Sequence, residues 1–357
     1  MKLLYFTKYE DLGASSRLRS FQFFPLLKEN GILVDYQALF NNVYVQNLYA
    51  KKSNRTIIIK SYLKRFLYLF NIKKYDLIVI EKELFPYFPA WFEFVLKIMN
   101  VRYIVDYDDP IFHNYDLHKN IIVRKLLGRK IDKVMKLSSH VFCGNSYLEN
   151  RARNAGAKSV SFLPTVIDLH RYAFSYDIPS LQVENEFIVG WIGSPSTIRY
   201  LNDLIPIFDQ LFERYPEFKL HIIGAKPNFE EINYIRYIPW TFENEVQEIY
   251  KFDVGIMPLY DTPFEKGKCS YKLIQYMGCS KAVVASPIGS NIQVVTNHVN
   301  GIFAYAPKDW FEAIAFLINN PITCREYGKN GLKKVREVYN LESNLKLLIA
   351  RFNELVK

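Results

Sequence analysis

The sequence predicts an α/β protein of two doubly wound, Rossmann-like domains facing across a cleft, and three observations carry that expectation. Short apolar runs, right in length for buried parallel strands and too short for helices, alternate with helical stretches along the chain. Each half opens in the same way, with an apolar strand running into a turn of small residues. KLLYFTK (2–8) leads to Gly13, Ala14, Ser15 and Ser16, and FIVGWI (187–192) leads to Gly193, Ser194, Pro195, Ser196 and Thr197. Small residues at such a turn let a ligand approach the backbone, and the amides there suit phosphate. Finally, 357 residues suffice for two domains with separate cores.

In the first half the pattern predicts a helix over Arg17–Asn30 stopped by Gly31, and a strand over Ile32–Phe40. The first turn is not G-x-G-x-x-G, so no dinucleotide cofactor is expected. Arg17 and Arg19 can meet a phosphate or an acidic acceptor, or are solvated charges of a first helical turn. After an irregular segment, Lys60–Lys74 mixes Tyr62, Leu63, Phe66, Leu67, Leu69 and Phe70 with Lys64, Arg65, Lys73 and Lys74. Such a stretch lies in a membrane interface or is an ordinary surface helix. Asp76–Leu84 reads as a strand, Tyr87–Met99 as a helix, and Arg102–Asp109 as a strand ending in DYDDP. Acids at a strand's carboxyl end face the cleft, so Asp106, Asp108 and Asp109 are candidates to bind or polarise an acceptor hydroxyl, or else caps of the next helix. Residues 119–137 read as one helix with seven basic residues and one acid, Asp132. The strand HVFCGN, the helix SYLENRARNAG and the strand SVSFLP close this half.

The second half continues with a helix from Thr197 to about Arg214 and strands near Lys219–Gly224 and Ile235–Trp240. Asp253–Leu259 and Ala282–Ser286 are two further strands, separated by a loop and a short helix with Ser270 as N-cap and Gly278 as C-cap. Leu273, Ile274 and Met277 form the face of that helix that packs on the sheet, and Lys272 and Gln275 fall on the opposite side. Ligands of open α/β sheets sit outside the carboxyl ends of the strands, where a helix N-terminus offers amides. With Lys266, Lys268 and Lys272 around it, this end suits a multiply charged anion such as a diphosphate; the alternative is a solvated lysine cluster.

The residues of this segment, Asp253, Gly255, Pro258, Leu259, Gly267, Lys268, Lys272, Leu273, Tyr276, Met277 and Val283 to Ser286, resemble the nucleotide-sugar site of GT-B glycosyltransferases, of the retaining family 4 type (glycosyl transferases group 1). The run SSRLRSFQFFPLL, the D-x-D-D run and the passage from Asn145 through Pro164, Thr165 and Val166 to Asp168 and Tyr172 are similar to other parts of that family. The resemblance implies transfer of a sugar from a nucleoside diphosphate sugar to a hydroxyl, with retention, with no cofactor beyond the donor and no metal. It implies catalytic roles for Lys272, Lys268, Asp106 and Asp108, and donor binding by Gly13, Ser15, Ser16, Arg17, Gly193, Ser194, Ser196, Thr197, Trp240, Gly267, Ser270, Tyr271 and Gln275. It also implies an acceptor-side domain over 1–165, a linker over 166–186, a nucleotide-sugar domain over 187–339 and a last helix, 340–357, crossing back to the first domain. One departure stands out. The family has two glutamates eight residues apart, where this chain has Gly267 and Gln275. A binding-only relative, a GT-B epimerase and a phosphorylase are the other readings of such a chain.

Composition limits the partners. Residues 1–180 hold 27 Lys plus Arg against 16 Asp plus Glu, a net of +11, whereas the remainder has 19 against 20. A basic half suits nucleic acid or an anionic membrane surface. No nucleic-acid signature accompanies it, so an anionic membrane and a glycan or lipid-linked acceptor are the expected partners. No apolar run reaches membrane-spanning length, and the amino-terminal residues turn acidic before a signal-peptide core forms, so a cytoplasmic place is expected, with peripheral association on the inner membrane face. Cys143, Cys269, Cys279 and Cys324 lack metal or disulfide spacing and read as free thiols.

Overall fold

The computed structural model describes residues 1–173, 186–226 and 232–356. Their described parts fall into two units. The first comprises Met1–Thr165, the tripeptide Gly267–Cys269 and the helix from Glu342 onward; the second comprises the rest. The first sheet contains β1 (Lys2–Tyr9), β2 (Leu33–Phe40), β3 (Leu77–Glu81), β4 (Tyr103–Tyr107), β5 (His140–Cys143) and β6 (Val160–Phe162) in the order β2-β1-β3-β4-β5-β6. The second contains β7 (Phe187–Ile192), β8 (Phe218–Ile223), β9 (Ile235–Ile238), β10 (Val254–Met257), β11 (Ala282–Ala285) and β12 (Gly301–Phe303) in the order β12-β11-β10-β7-β8-β9. All pairings are parallel. The chain therefore reverses direction across each sheet once, between β1 and β3 in the first unit and between β7 and β10 in the second. Those reversals are where such sheets open a crevice for ligands.

Each sheet is apolar because helices cover both faces. Leu4, Phe6, Ile78, Ile80 and Val105 fill one core, and Val189, Trp191, Leu220, Ile256 and Val284 the other. Two residues of the family pattern have a packing role. A Cβ on Gly255 would lie 2.2 Å from the Tyr276 ring. The Tyr276 hydroxyl in turn accepts from Ile192 N at 3.0 Å, so a glycine on β10 lets the helix Tyr271–Gly278 lie against the sheet.

Several helices are shorter than the sequence suggested. The stretch 17–30 is broken into Ala14–Arg19, a single 3₁₀ turn and Phe24–Glu29, because Pro25 cannot donate within a continuous helix. Residues 119–137 form two helices, Ile121–Leu127 and Lys130–Leu137, and Thr197–Arg214 divides into Arg199–Asn202 and Ile205–Arg214 at Pro206. Of the expected linker, 174–185 lies outside the described residues. Ile167 pairs with Asn340 and Leu169–Ala173 is helical, so its start is ordered structure. The last helix, Leu341–Val356, is tied within the first unit by Arg102, which donates to Leu355 O, and by Arg351, which donates to Ser161 Oγ at 3.3 Å. All four cysteines are free.

Two basic residues expected on the surface are inside. Lys130 is buried and donates to Glu83 and to Phe85 O. Arg65, fully buried in the helix Arg55–Tyr68, donates to Gln37 Oε1 at 2.7 Å, Gln37 O at 2.8 Å, Leu84 O at 3.2 Å and Thr7 O. It thereby satisfies acceptors of β1, β2 and the segment after β3 with one side chain. Arg65→Met leaves those acceptors without a donor, each a loss of about 1–3 kcal/mol, so destabilisation of at least about 3 kcal/mol is expected by urea denaturation. Lys64→Met, at an exposed position one residue away, should leave the midpoint within error; equal effects of the two would show that Arg65 is not the tie described.

Candidate functional site

Residues from four loops of the first unit meet at the carboxyl ends of β1, β3 and β4. Glu81, the last residue of β3 and buried, accepts from Ser15 Oγ at 2.8 Å, Ser16 Oγ at 2.6 Å and Lys8 N at 3.0 Å. Ser15 Oγ also lies 2.6 Å from Asp108 Oδ2. Lys82 follows in a left-handed conformation, φ 69°, which turns its buried ammonium onto Asp108 at 2.9 Å, with Asp109 at 3.7 Å. Asp106, 5% exposed, is held by the Arg19 guanidinium in a two-pronged pair, and Arg19 also donates to Leu163 O at 2.7 Å. Burial opposes the Arg19 cation, but Asp106 outweighs it and raises its pKa above the ordinary value. Burial likewise opposes the Asp108 carboxylate; Lys82, Arg19 and the Ser15 hydroxyl override it and hold the carboxyl at about 2.

This arrangement corrects parts of the sequence reading. Asp106 does not face outward: both its oxygens are taken by Arg19. Arg17 is not in the cluster, since its Nη1 donates to Asp11 O at 3.1 Å, and Arg19 takes the inward position instead. Among the three acids, Asp109 has the accessible side chain, 38% exposed. Gly13 is needed for packing, because a Cβ there would be 2.3 Å from Tyr9 Cβ. Glu81 and Lys82 were not singled out in the sequence, where they read as the end of a strand.

The tripeptide Gly267–Cys269 packs here as well. Asn145 Nδ2 donates to Gly267 O at 2.8 Å and Lys268 O at 3.0 Å, and Cys269 Sγ donates to Asp108 O at 2.7 Å. A Cβ on Gly267 would lie 2.4 Å from the Pro110 ring, so a glutamate has no room at this backbone position.

The second unit gathers its polar groups at the ends of β7, β10 and β11. In the turn after β7, Ser194 N donates to Thr197 Oγ1 at 3.1 Å, Thr197 Oγ1 donates back to Ser194 O at 3.0 Å, and the Ser194 and Ser196 hydroxyls are 2.9 Å apart. Gly193 has no room for a side chain, a Cβ falling 2.2 Å from Trp191 Cη2. Lys272 Nζ sits over the same buried indole, 4.4 Å from the ring centroid. The small-residue turn and the lysine of the helix Tyr271–Gly278 thus converge on Trp191.

Ser270 occupies the N-cap position, as expected, but its side chain does not cap the helix. It has φ 53°, and its hydroxyl bonds Ser290 Oγ and Asn291 Oδ1 rather than a helix amide. Gly278 is the last helical residue rather than a C-cap, and a Cβ there would be 2.3 Å from Ile167 Cδ1. Gln275 does not lie on an open polar face: it is 2% exposed and its Nε2 donates to Tyr172 Oη at 3.1 Å. Tyr271 is half-buried at the helix start. Trp240 follows β9, and its Nε1 donates to Glu245 Oε2 at 2.7 Å. Lys266 pairs with Asp261 at 2.9 Å, both exposed. A buried Glu265, absent from the sequence reading, accepts from Tyr200 Oη at 2.6 Å and Arg199 Nη2 at 3.2 Å. Among the described residues no group of His, Cys, Asp and Glu side chains is arranged to hold a metal.

Residues 186–320 match the family model described as glycosyl transferases group 1. An uncharacterized glycosyltransferase of Methanocaldococcus jannaschii is 31% identical over 117 residues, a match spanning 32% of this chain and 29% of that relative. Among solved structures, HepE of Anabaena in complex with UDP superposes with a TM-score of 0.71 at 15% identity, covering 99% of this chain and 100% of that one. Sucrose-phosphate synthase of Thermosynechococcus elongatus gives 0.72 at 14%, covering 99% and 98%. The fold is GT-B, as expected from the sequence, and over residues 186–320 the resemblance to glycosyl transferases group 1 is borne out.

The lowered Asp108 carboxyl gives a pH signature. Its pKa is depressed on folding, so its stabilisation is complete above the ordinary carboxylate value of about 3.9 and is lost as pH falls from there towards 2, in total roughly 2–3 kcal/mol. In Lys82→Met the carboxyl loses its chief cation and titrates higher. The acid-unfolding midpoint should therefore move to higher pH than in the parent, and carbon-detected titration of Asp108 should follow it. A parental midpoint in the variant would show that Lys82 does not hold Asp108.

Proposed function

We propose that this protein is a glycosyltransferase that moves a sugar from a nucleoside diphosphate sugar to a hydroxyl acceptor, with retention, without a metal, in the synthesis of a cell-surface or lipid-linked glycan. The observation that carries the proposal is the convergence on Trp191 of two elements suited to phosphate, the turn Gly193–Thr197 and Lys272. In this reading the hydroxyls of Ser194, Ser196 and Thr197 exchange their bonds to one another for bonds to the diphosphate. The amides of Ser270 and Tyr271, with Lys272, supply the remaining donors.

Breaking the sugar-to-phosphate bond develops negative charge on the leaving diphosphate, and fixed donors aimed there lower the barrier. Attack by the acceptor on the same face needs no second carboxylate of the kind glycosidases use. Asp109 is the acid of the first unit best suited to meet the acceptor, with Asp108, Ser15 and Ser16 fixing its surroundings; Asp106 acts only by anchoring Arg19. Gln275 has an amide oxygen left to accept from a ribose hydroxyl, and the ring of Trp240 is the candidate for the base.

Lys272→Ala should lower kcat by about a hundred- to a thousand-fold without unfolding the protein, since removing such a donor costs about 2.7–4 kcal/mol in comparable sites. Lys266→Ala, which removes an ion pair with Asp261, should leave turnover intact. The assay is slow hydrolysis of UDP- or GDP-sugars by the purified protein, and normal turnover in Lys272→Ala would overturn the assignment. Gln275→Glu tests the ribose contact. A carboxylate there must share the Tyr172 hydroxyl with Glu245, whose Oε1 lies 3.5 Å from it, so the variant should lose about 1–3 kcal/mol of stability. Nucleotide affinity should stay equal or rise, because a carboxylate bonds hydroxyls more strongly than an amide. Affinity reduced more than tenfold in folded variant would remove Gln275 from the ribose site.

A further inference from the structure

Two helices of the first unit expose large apolar side chains where a water-facing helix carries polar ones. On Trp91–Ile98 the outward residues are Trp91, Phe94, Val95, Lys97 and Ile98, with Trp91 64% and Ile98 68% exposed. On Arg55–Tyr68 and the 3₁₀ segment Leu69–Lys74 they include Ile59, Leu63, Phe66 and Phe70, the last 74% exposed. The two are neighbours. The rings of Phe66 and Phe92 are 6.0 Å apart, and those of Tyr62 and Phe88 are 5.8 Å apart. The exposed residues therefore form one patch rather than isolated points, and a patch of this kind marks an interaction surface.

The charge around the patch says what covers it. Residues 55–74 contain no acid, and the single acid in 86–100, Glu93, is buried with its carboxylate accepting from Leu84 N at 3.0 Å. Lys60, Lys64, Lys73, Lys74 and Lys97 are exposed beside the apolar residues. Aromatic and aliphatic side chains interleaved with lysine, and no exposed carboxylate, match the interface of an anionic bilayer, where rings enter the acyl boundary and ammonium groups remain among the headgroups. A second copy of the chain would bring the same lysines face to face and be repelled.

We propose that this patch, centred on Trp91, Phe94, Ile98, Phe66 and Phe70, inserts into the interface of an anionic phospholipid membrane. This rests on the glycosyltransferase reading only for its purpose, bringing the enzyme to a lipid-linked acceptor; the docking itself is independent of turnover. It retains Lys64, Lys73 and Lys74 of the stretch read from the sequence, drops Arg65, which is inside, and adds the helix Trp91–Ile98.

Trp91 is a built-in reporter, because Trp191 and Trp310 are buried and Trp240 is half-buried. With vesicles of phosphatidylglycerol and phosphatidylcholine at low salt, the full chain should cosediment and its tryptophan emission should shift to shorter wavelength. Phosphatidylcholine alone should give neither effect, and salt should weaken both. The double variant Phe94→Glu/Ile98→Glu should partition at least tenfold less while melting and hydrolysing a soluble donor like the parent. Ile322→Glu, an equally exposed apolar site in the second unit, should bind like the parent. No cosedimentation of the parent at low salt, or binding with no emission shift, would overturn the proposal. So would a dimeric parent converted to monomer by the double variant, which would assign the patch to a second copy. Loss of donor hydrolysis in all forms would instead count against the enzymatic reading and leave the docking result standing.

Discussion

A parallel sheet covered on both faces has only its strand ends for polar chemistry, and both units of this protein follow from that constraint. The inner strands β3 and β4 are apolar through their middles, so their charged residues enter at or next to the carboxyl end. Glu81 and Asp106 are the extreme cases, being the last residue of β3 and the next-to-last of β4, and both are buried. A buried carboxylate is tolerated only with its oxygens satisfied. The Ser16 hydroxyl and the Lys8 amide do so for Glu81, with the Ser15 hydroxyl shared between Glu81 and Asp108, and a guanidinium does so for Asp106. The small-residue turn after β1 thus has a second use besides ligand approach: Ser15 and Ser16 are short enough to reach Glu81 from the first helical turn.

The two units solve the same placement problem with different chemistry. In the first, anions and cations are already matched, Arg19 with Asp106 and Lys82 with Asp108, leaving Asp109 as the exposed acid. In the second, neutral hydroxyls satisfy one another at the turn after β7, and the cation of Lys272 lies over an aromatic face. Hydroxyls and a cation set beside an indole face suit an incoming diphosphate. A unit with matched charges is instead suited to a neutral hydroxyl substrate. The proposed division into donor and acceptor sides follows from that difference.

Strand positions were legible because apolar runs of four to eight residues have few other uses. Helix breaks were less so: the periodicity of 17–30 and 197–214 continues across Pro25 and Pro206, and the backbone consequence of proline outranks it. The polar network at the first sheet was legible only in part. Ser15, Ser16 and Asp108 announce themselves by position, but Glu81 is defined by serines 65 and 66 residues away, Arg19 by Asp106, 87 residues away, and Lys82 by Asp108, 26 residues away. Ser270 looked like a cap because its residue type is right. Its left-handed backbone and its bonds to Ser290 and Asn291 depend on a loop beyond β11 that no local pattern reveals.

Burial also revises what the charge excess of the first half means. Counted along the sequence, Arg65 and Lys130 belong to basic stretches, yet one ties together the ends of the first sheet and the other neutralises Glu83. Neither contributes to an external field. Part of what remains outside lies on the helices Arg55–Tyr68 and Trp91–Ile98, whose single acid, Glu93, is turned inward to hold Leu84 N. An ordinary solvated helix gains from mixed charges along its exposed face, through pairs three and four residues apart. These helices forgo that stabilisation and expose rings and aliphatic chains instead, a combination that costs solubility in water and is compensated only where the neighbouring medium is itself apolar and negatively charged.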